Sequence, residues 1–193
     1  MIGDVVGRGL AAADVMGRLR TALRAHALDS TDPAEVLASL DQQVQRFERR
    51  QMMATVQLAI FESSLDRLHL SSAGHLPPVL ALPDQPAALV EVPGDLPVGL
   101  GDEAQRRHVT TIHLPPGALL CLYTDGLVER RGRLLDDGLQ RLCEAVTAGS
   151  VELVCTTVVG QLMGDHPPGD DVALLVLRRQ YRGEVGAVAD VNP

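Results

Sequence analysis

Short β-prone segments fill the middle of this chain between two pairs of helical segments, and this order limits the fold more than any other feature. The β-prone segments are residues 53–61, 65–71, 79–82, 89–92, 108–114 and 119–123, with a last one at 172–177. Turns rich in proline and glycine separate them. Helix and strand do not alternate as they do around a parallel sheet. The order predicts an α+β fold in which helices pack on antiparallel sheets.

The helical segments have clear periodicity and, in one case, a clear start. Residues 10–28 are rich in alanine and carry apolar residues at helical spacing. For the next helix, which should run to Phe47, Asp32 can act as the cap, Pro33 occupies the first turn and Glu35 completes a capping box. Two further helices are predicted at residues 136–146 and 151–163.

The length and the charge of the chain narrow the classes of function. We expect one domain over residues 1–179 and a flexible tail at 180–193, because the end of the chain lacks periodicity. The formal net charge is −8, with 25 acidic and 17 basic residues, so the surface repels a phosphate backbone. Two arginine clusters have acidic neighbours and no aromatic residues between them, which argues against nucleic-acid binding. They are Arg46, Arg49 and Arg50, and Arg130, Arg131 and Arg133.

The cysteines and the apolar segments indicate a cytoplasmic protein. Cys121, Cys143 and Cys155 are odd in number and have no metal-ligand spacing, so no disulfide framework is expected. The N-terminal residues lack the basic and then apolar pattern of a signal peptide. No apolar stretch reaches the roughly 18 residues that a membrane span needs. We therefore expect no membrane contact.

Three aspartate sites stand out because glycine and apolar residues flank them at the expected ends of strands. Burying a carboxylate at such a position is unfavourable unless a partner compensates its charge. A divalent cation compensates several carboxylates at once, and ligands that are all oxygen favour Mg²⁺ or Mn²⁺ over zinc. Each aspartate alone fits a simple role as a turn or helix cap, whereas the three together favour a metal site. The sites are Gly3-Asp4-Val5-Val6-Gly7, Thr124-Asp125-Gly126 and Gly169-Asp170-Asp171-Val172.

Five short motifs resemble, in their order, the SpoIIE-like branch of the metal-dependent, PPM-type protein phosphatases. They are Gly3-Asp4-Val5-Val6-Gly7-Arg8-Gly9, Ser72-Ala73-Gly74-His75-Leu76-Pro77-Pro78, Pro97-Val98-Gly99-Leu100, Tyr123-Thr124-Asp125-Gly126-Leu127-Val128-Glu129 and Gly169-Asp170-Asp171-Val172. The resemblance covers roughly residues 2–178. It implies an α-β-β-α sandwich, in which two antiparallel sheets are flanked by helices and a two-metal site lies at one end of the sheets.

The same resemblance implies the roles of individual residues. Asp4 would bridge two Mg²⁺ or Mn²⁺ ions and the carbonyl of Val5 would hold one of them. Asp125 and Asp170 would supply further carboxylates, with Asp171 the second choice of the adjacent pair. A water activated between the two metals would hydrolyse phosphoserine or phosphothreonine. The implied substrate is a phosphorylated regulatory protein of the anti-sigma-factor antagonist type, and homodimers are common in the family.

The chain departs from the family pattern in two places that bear on function. The family carries an earlier strand pair with a Gly-Gly-Asp motif whose aspartate helps to bind the metals. This chain begins at Met1, three residues before Asp4, so we expect a sandwich that is incomplete at the N-terminus and lacks one aspartate. Arg8 stands where a histidine is frequent, and its guanidinium can hold phosphate oxygens. Two alternatives to the enzyme are a catalytically impaired signalling or interaction module and a domain that a cation merely stabilises.

Overall fold

The computed structural model describes residues 1–47, 52–100, 106–130, 132–164 and 170–181 of the chain. Helices precede and follow a central series of strands, as the order of sequence patterns predicts. The elements in chain order are β1 (Ile2–Val5), α1 (Gly9–Asp29), α2 (Pro33–Phe47), β2 (Ala54–Phe61), β3 (Arg67–Ala73), β4 (Val79–Ala81), β5 (Ala88–Leu89), β6 (Thr110–His113), β7 (Leu119–Tyr123), α3 (Asp125–Val128), α4 (Leu135–Ala145), α5 (Val151–Met163) and β8 (Leu174–Arg178).

The strands form two antiparallel sheets. The first sheet has the order β1-β2-β3-β6 and the second has the order β5-β4-β7-β8. In the first sheet Asp4 of β1 lies opposite Thr55 of β2, and Gln57 lies opposite Ser72 of β3. In the second sheet Tyr123 of β7 lies opposite Leu174 of β8. The register therefore places the ends of β1 and β7, which carry two of the aspartate motifs, in separate sheets.

Three apolar clusters separate four layers. The first lies between α1, α2 and the first sheet, and includes Leu37, Leu40 and Val56. The second lies between the two sheets. The third lies between the second sheet and helices α3 to α5. Strand β7 is buried on both faces: Leu120 and Leu122 join the cluster between the sheets, whereas Cys121 and its alternate neighbours face the helices. This alternation follows from the two-residue period of a strand, and it confirms the predicted α-β-β-α sandwich.

Most predicted elements are confirmed, and the differences are local. Helix α2, helix α5 and strand β7 have the predicted bounds, and Asp32 caps α2 by accepting a 2.8 Å hydrogen bond from the Ala34 N–H. The capping box is wrong, because Glu35 accepts its hydrogen bond from the Ser30 hydroxyl instead. Strand β5 is only two residues long, and the short helix α3 was not predicted from the sequence.

Several predicted features lie outside the described residues. These are most of the tail, Gly169 of the third aspartate motif, and Arg49, Arg50 and Arg131 of the arginine clusters. In the described ranges, no helix combines the length and the apolar character required to cross a membrane.

Candidate functional site

Asp4 is held inside the first sheet. It is the third of the four residues of β1 and pairs with Thr55, so the expectation that it lies at a strand end is wrong by one residue. Gly3 permits the close pairing of these strands, since a Cβ there would lie 2.6 Å from the Thr55 carbonyl oxygen. After β1 the backbone turns into α1 through Gly7 and Gly9, whose φ angles of 132° and 74° favour glycine.

Asp125 and the Asp170-Asp171 pair are brought together at the end of the second sheet. Thr124 joins the two segments: its hydroxyl donates to the Asp171 carbonyl at 3.1 Å and accepts from the Ala173 N–H at 2.8 Å. Gly126 allows this closeness, because a Cβ at that position would lie 2.5 Å from the Asp171 carbonyl oxygen. Helix α3 begins at Asp125, one residue after β7 ends, so the second sheet fixes where its carboxylate lies.

His75 connects the two sheets beside these carboxylates. Its Nδ1 lies 2.9 Å from the Thr55 hydroxyl and its Nε2 lies 3.0 Å from the Tyr123 carbonyl oxygen. A carbonyl can only accept, so Nε2 carries the proton and Nδ1 accepts from Thr55. Burial lowers the pKa of His75, which favours this neutral tautomer, although the Tyr123 carbonyl and Asp125 oppose the shift. His75 therefore links Thr55, which pairs with Asp4, to Tyr123, which lies two residues before Asp125.

The carboxylates interact across the gap between the sheets. Burial raises the pKa of Asp4, and the negative charge of Asp125 raises it further. A hydrogen bond with the Val5 backbone opposes this, while Asp170 and Asp171 add to the rise. Like charges raise the pKa of a carboxyl group because they disfavour its ionised form. Asp4 of the first sheet thus lies within electrostatic range of Asp125, Asp170 and Asp171, which lie at the end of the second sheet.

The site fits a hard cation in charge and in ligand type. Asp125 and Asp170 each use one side-chain oxygen to accept from a neighbouring backbone N–H, at 2.7 Å and 2.9 Å. Within the described residues, no three Asp, Glu, His or Cys side chains are arranged to enclose a metal ion. Mg²⁺ does not need such an enclosure, because it keeps several waters and binds through one or two carboxylates together with substrate phosphate. His75 is not available as a ligand, because a hydrogen bond occupies each of its nitrogens.

Arg8 lies next to the carboxylates. It is exposed, directly precedes α1, and lines a cleft of about 390 Å³ together with Asp170 and Gly126. Arg130 and Arg133 line the same cleft. An arginine that faces a cluster of carboxylates in this way is placed to meet an anion bound there.

Sequence reasoning missed Thr55 and gave His75 no role. Thr55 and Gln57 are polar residues at alternate positions of an otherwise apolar strand, and this pattern indicates a buried polar row on one face. The Thr55 hydroxyl and the Gln57 side chain both bond to the segment after β3, at His75 and Leu76. That signal was present in the sequence, but the partner of each side chain depends on how the two sheets face each other.

Comparison with known proteins identifies the family. The chain matches Stage II sporulation protein E (SpoIIE) over residues 1–180. The chain belongs to the SpoIIE family. This confirms the resemblance to SpoIIE-like, PPM-type phosphatases drawn from the five motifs.

Individual relatives of this SpoIIE-family chain are phosphatases. It is 28% identical over 185 residues to the phosphoserine phosphatase RsbU of Bacillus subtilis, covering 93% of this chain and 55% of RsbU. It is 30% identical, with a TM-score of 0.79, to the RsbU and RsbW domains of a Mycobacterium tuberculosis protein, covering 92% of this chain and 50% of that one. The catalytic domain of the serine/threonine phosphatase PstP, in complex with two manganese ions, shares the fold at 19% identity and a TM-score of 0.59, covering 90% of this chain and 84% of that catalytic-domain chain. The chain thus spans about half the length of RsbU and of the M. tuberculosis protein.

Proposed function

We propose that this chain is the catalytic domain of a metal-dependent protein phosphatase that hydrolyses phosphoserine or phosphothreonine. The observation that carries the proposal is that Asp4, in the first sheet, lies within electrostatic range of Asp125, Asp170 and Asp171, which lie at the end of the second sheet. A fold that gathers four carboxylates from two sheets in this way is expected to bind cations. Membership of a family that includes RsbU supplies the reaction class.

The carboxylates of the site would hold two Mg²⁺ or Mn²⁺ ions. Asp4 and the Val5 carbonyl would contribute from the first sheet, and Asp125, Asp170 and Asp171 from the second. When bound, two such ions lower the pKa of a water molecule and offset the charge of a phosphoryl group. PstP, which shares the fold, carries two manganese ions and supports this assignment.

The remaining residues of the site position the reacting groups. Thr55, His75 and the Tyr123 carbonyl keep the two halves of the carboxylate cluster at a fixed separation. The guanidinium of Arg8 would contact the non-bridging oxygens of the phosphoryl group, whose shape its paired N–H donors match. Water supplies the oxygen that replaces the serine or threonine oxygen on phosphorus, so the products are a free hydroxyl group and inorganic phosphate.

The substrate would be a phosphorylated regulatory protein of the anti-sigma-factor antagonist type. RsbU is a phosphoserine phosphatase, and the M. tuberculosis relative carries an RsbU and an RsbW domain in one chain. The presence of an RsbW domain beside the RsbU domain supports a protein partner rather than a small metabolite.

Hydrolysis of a phosphoserine peptide in the presence and absence of MnCl₂ tests the proposal. The informative variant is Asp125→Asn, which keeps the shape of the side chain and removes its charge. We expect it to lower manganese-dependent turnover by about a hundredfold or more, because oxygen ligands of a catalytic metal support several kcal/mol of transition-state stabilisation. Asp84→Asn is the matched control, since Asp84 is exposed and has a φ of 59° that asparagine also tolerates.

The outcomes separate enzyme from binding module. Manganese-stimulated hydrolysis that Asp125→Asn abolishes and Asp84→Asn keeps would support the enzyme. Full turnover in Asp125→Asn would overturn the site assignment. If the wild-type chain binds the phosphopeptide but does not hydrolyse it at any manganese concentration, the signalling or interaction module is the better description.

A further inference from the structure

A cleft beside the carboxylates gathers three arginines in a protein that is acidic overall. Arg8, Arg130 and Arg133 line this space of about 390 Å³, which we call the arginine cleft. Glu129 and Asp170 line it as well. Because Asp170 belongs to both, the arginine cleft adjoins the candidate metal site. Its volume lies at the lower end of the range for small-ligand pockets, roughly 300–1,000 Å³, so it can receive a side chain but not a folded surface.

Hydrogen bonds hold two of these arginines, Arg130 and Arg133, in place. Arg130 is half-buried, and its Nη2 donates a 2.7 Å hydrogen bond to the Leu162 carbonyl in the last turn of α5. The Arg133 N–H donates to the Arg130 carbonyl at 3.1 Å, and Gly132 has a φ of 80°. These two hydrogen bonds hold Arg130 and Arg133 at the cleft.

The arginine charges are not balanced within the cleft. Among the described residues, neither Arg8 nor Arg133 forms an ion pair with Glu129 or Asp170, although all four line the same space. If Asp170 binds a cation, as the proposed function requires, its charge is offset and three guanidinium groups face Glu129 alone. One phosphoryl group bound by the cations and Arg8 then leaves Arg130 and Arg133 with only the Glu129 carboxylate in the cleft.

We propose that the arginine cleft binds a carboxylate side chain that neighbours the phosphoserine in the substrate. The enzyme then selects acidic phosphorylated segments, with Arg133 and Arg130 as the specificity-determining residues. This inference rests on the proposed function, because it takes the phosphoryl group to lie at the adjacent carboxylates. The ligand class is an aspartate or glutamate side chain, since a guanidinium pairs with a carboxylate in the same fork geometry as with phosphate.

Two phosphoserine peptides that differ only at the flanking positions test the inference. One carries aspartates there and the other carries asparagines, and both are assayed in MnCl₂ alongside the aryl ester p-nitrophenyl phosphate. We expect the aspartate peptide to have a kcat/KM about fivefold higher, the size of one partly exposed ion pair. Arg133→Gln should reduce this preference to about twofold or less, and added salt should weaken it in the wild-type protein.

The control is Arg24→Gln, which removes the same charge elsewhere. Arg24 is exposed on α1, about 22 Å along the helix axis from its start at the rise of 1.5 Å per residue. This variant should keep the preference for the aspartate peptide. Equal kcat/KM for both peptides in the wild-type protein, or an unchanged preference in Arg133→Gln, would overturn the inference.

The aryl ester separates failure of this inference from failure of the proposed function. If the wild-type chain hydrolyses p-nitrophenyl phosphate and both peptides equally well, the phosphatase stands and the role of the arginine cleft does not. If it hydrolyses none of them, the proposed function fails. In that case the two peptides stay intact in MnCl₂, and the fluorescence anisotropy of fluorescein-labelled copies decides whether the aspartate peptide still binds more tightly. Equal binding in that measurement also refutes the arginine cleft.

Discussion

Replacing Gly126 with alanine would push a methyl group against the backbone that carries Asp170 and Asp171. The new Cβ would lie 2.5 Å from the Asp171 carbonyl oxygen and 3.1 Å from the Asp170 carbonyl oxygen. Ordinary contact at such an atom begins near 3.4 Å, so the two segments must separate by about 0.9 Å. Both contacts are with backbone atoms, and no flexible side chain can move aside to relieve them.

Two opposing effects set the size of the expected change. Alanine in place of glycine within a helix gains up to about 1 kcal/mol, and Gly126 is the second residue of α3. Overpacking in a buried position costs about 1–3 kcal/mol. Because Gly126 is buried, the second effect should dominate and the net loss of unfolding free energy should be about 1–2 kcal/mol. The same separation moves Asp170 and Asp171 away from Asp125, so manganese should stabilise the variant less than the wild type.

Urea unfolding followed by circular dichroism, with and without MnCl₂, measures both effects. Gly160→Ala is the control, because Gly160 lies in α5 and a Cβ there meets nothing within 4 Å. It should raise the unfolding free energy by up to about 1 kcal/mol and leave the stabilisation by manganese unchanged. If Gly126→Ala is as stable as the wild type and gains as much from manganese, the two segments are not in contact as described and the reasoning fails.

Three further predictions concern His75, Cys121 and the buried ion pair of Asp41 and Arg107. Because burial lowers the pKa of His75 below its ordinary 6.5, the folded state binds fewer protons than the unfolded chain below that pH. Stability should therefore fall as the pH drops below about 6.5, and His75→Gln should remove this part of the loss in urea titrations across pH. Burial raises the pKa of the Cys121 thiol to about 12, so a thiol reagent at pH 8 should leave Cys121 unlabelled in the native protein by peptide mass mapping. Asp41→Ala should lower the unfolding free energy by about 3–5 kcal/mol, since Arg107, 2.8 Å away and 4% exposed, would keep a buried charge without its partner.

Each of these predictions has a result that would contradict it. The mechanism given for His75 is excluded if His75→Gln retains the full acid-dependent loss of stability. Labelling of Cys121 as fast as in urea would contradict its burial. For the ion pair, the double variant Asp41→Leu with Arg107→Met leaves no buried charge and should be more stable than Asp41→Ala. If the double variant is the less stable of the two, the cost does not come from an unpaired charge.

The layers of the fold could be predicted from the sequence because their signals are local. Strand β7 has its predicted bounds, Leu119–Tyr123, since its apolar run lies between the proline- and glycine-rich turn at 115–117 and the polar Thr124. Helix α3 was missed because four residues that include a glycine carry no helical period. Strand β5 is shorter than predicted, since only Ala88 and Leu89 pair with β4, and beyond them the Val90 N–H donates a single backbone hydrogen bond to the Pro78 carbonyl. Periodicity reports which residues can be buried, whereas the length of a strand depends on its neighbour.

The candidate site was predictable only as separate motifs. Glycine beside aspartate marks Asp4 and Asp125 in the sequence, but their closeness depends on the way the two sheets face each other. That arrangement is fixed by contacts between residues far apart in the chain, such as Thr55 with His75 and His75 with the Tyr123 carbonyl. The alternation of Thr55 and Gln57 marks a polar row on β2, but no local pattern indicates which residue each of these side chains contacts.

The neutral His75 side chain connects the two sheets at the point where the carboxylates of the site meet. The neutral ring accepts a hydrogen bond from the Thr55 hydroxyl in the first sheet and donates one to the Tyr123 carbonyl in the second sheet. One side chain therefore satisfies a polar group of each sheet. A protonated ring would have two donors, and the Thr55 hydroxyl would then have to turn its proton away. The hydroxyl could still accept, so protonation weakens the link chiefly by placing a charge in a buried position. Because Asp4 pairs with Thr55 and Asp125 follows Tyr123 by two residues, any movement of the sheets at this bridge changes the spacing of the carboxylates directly.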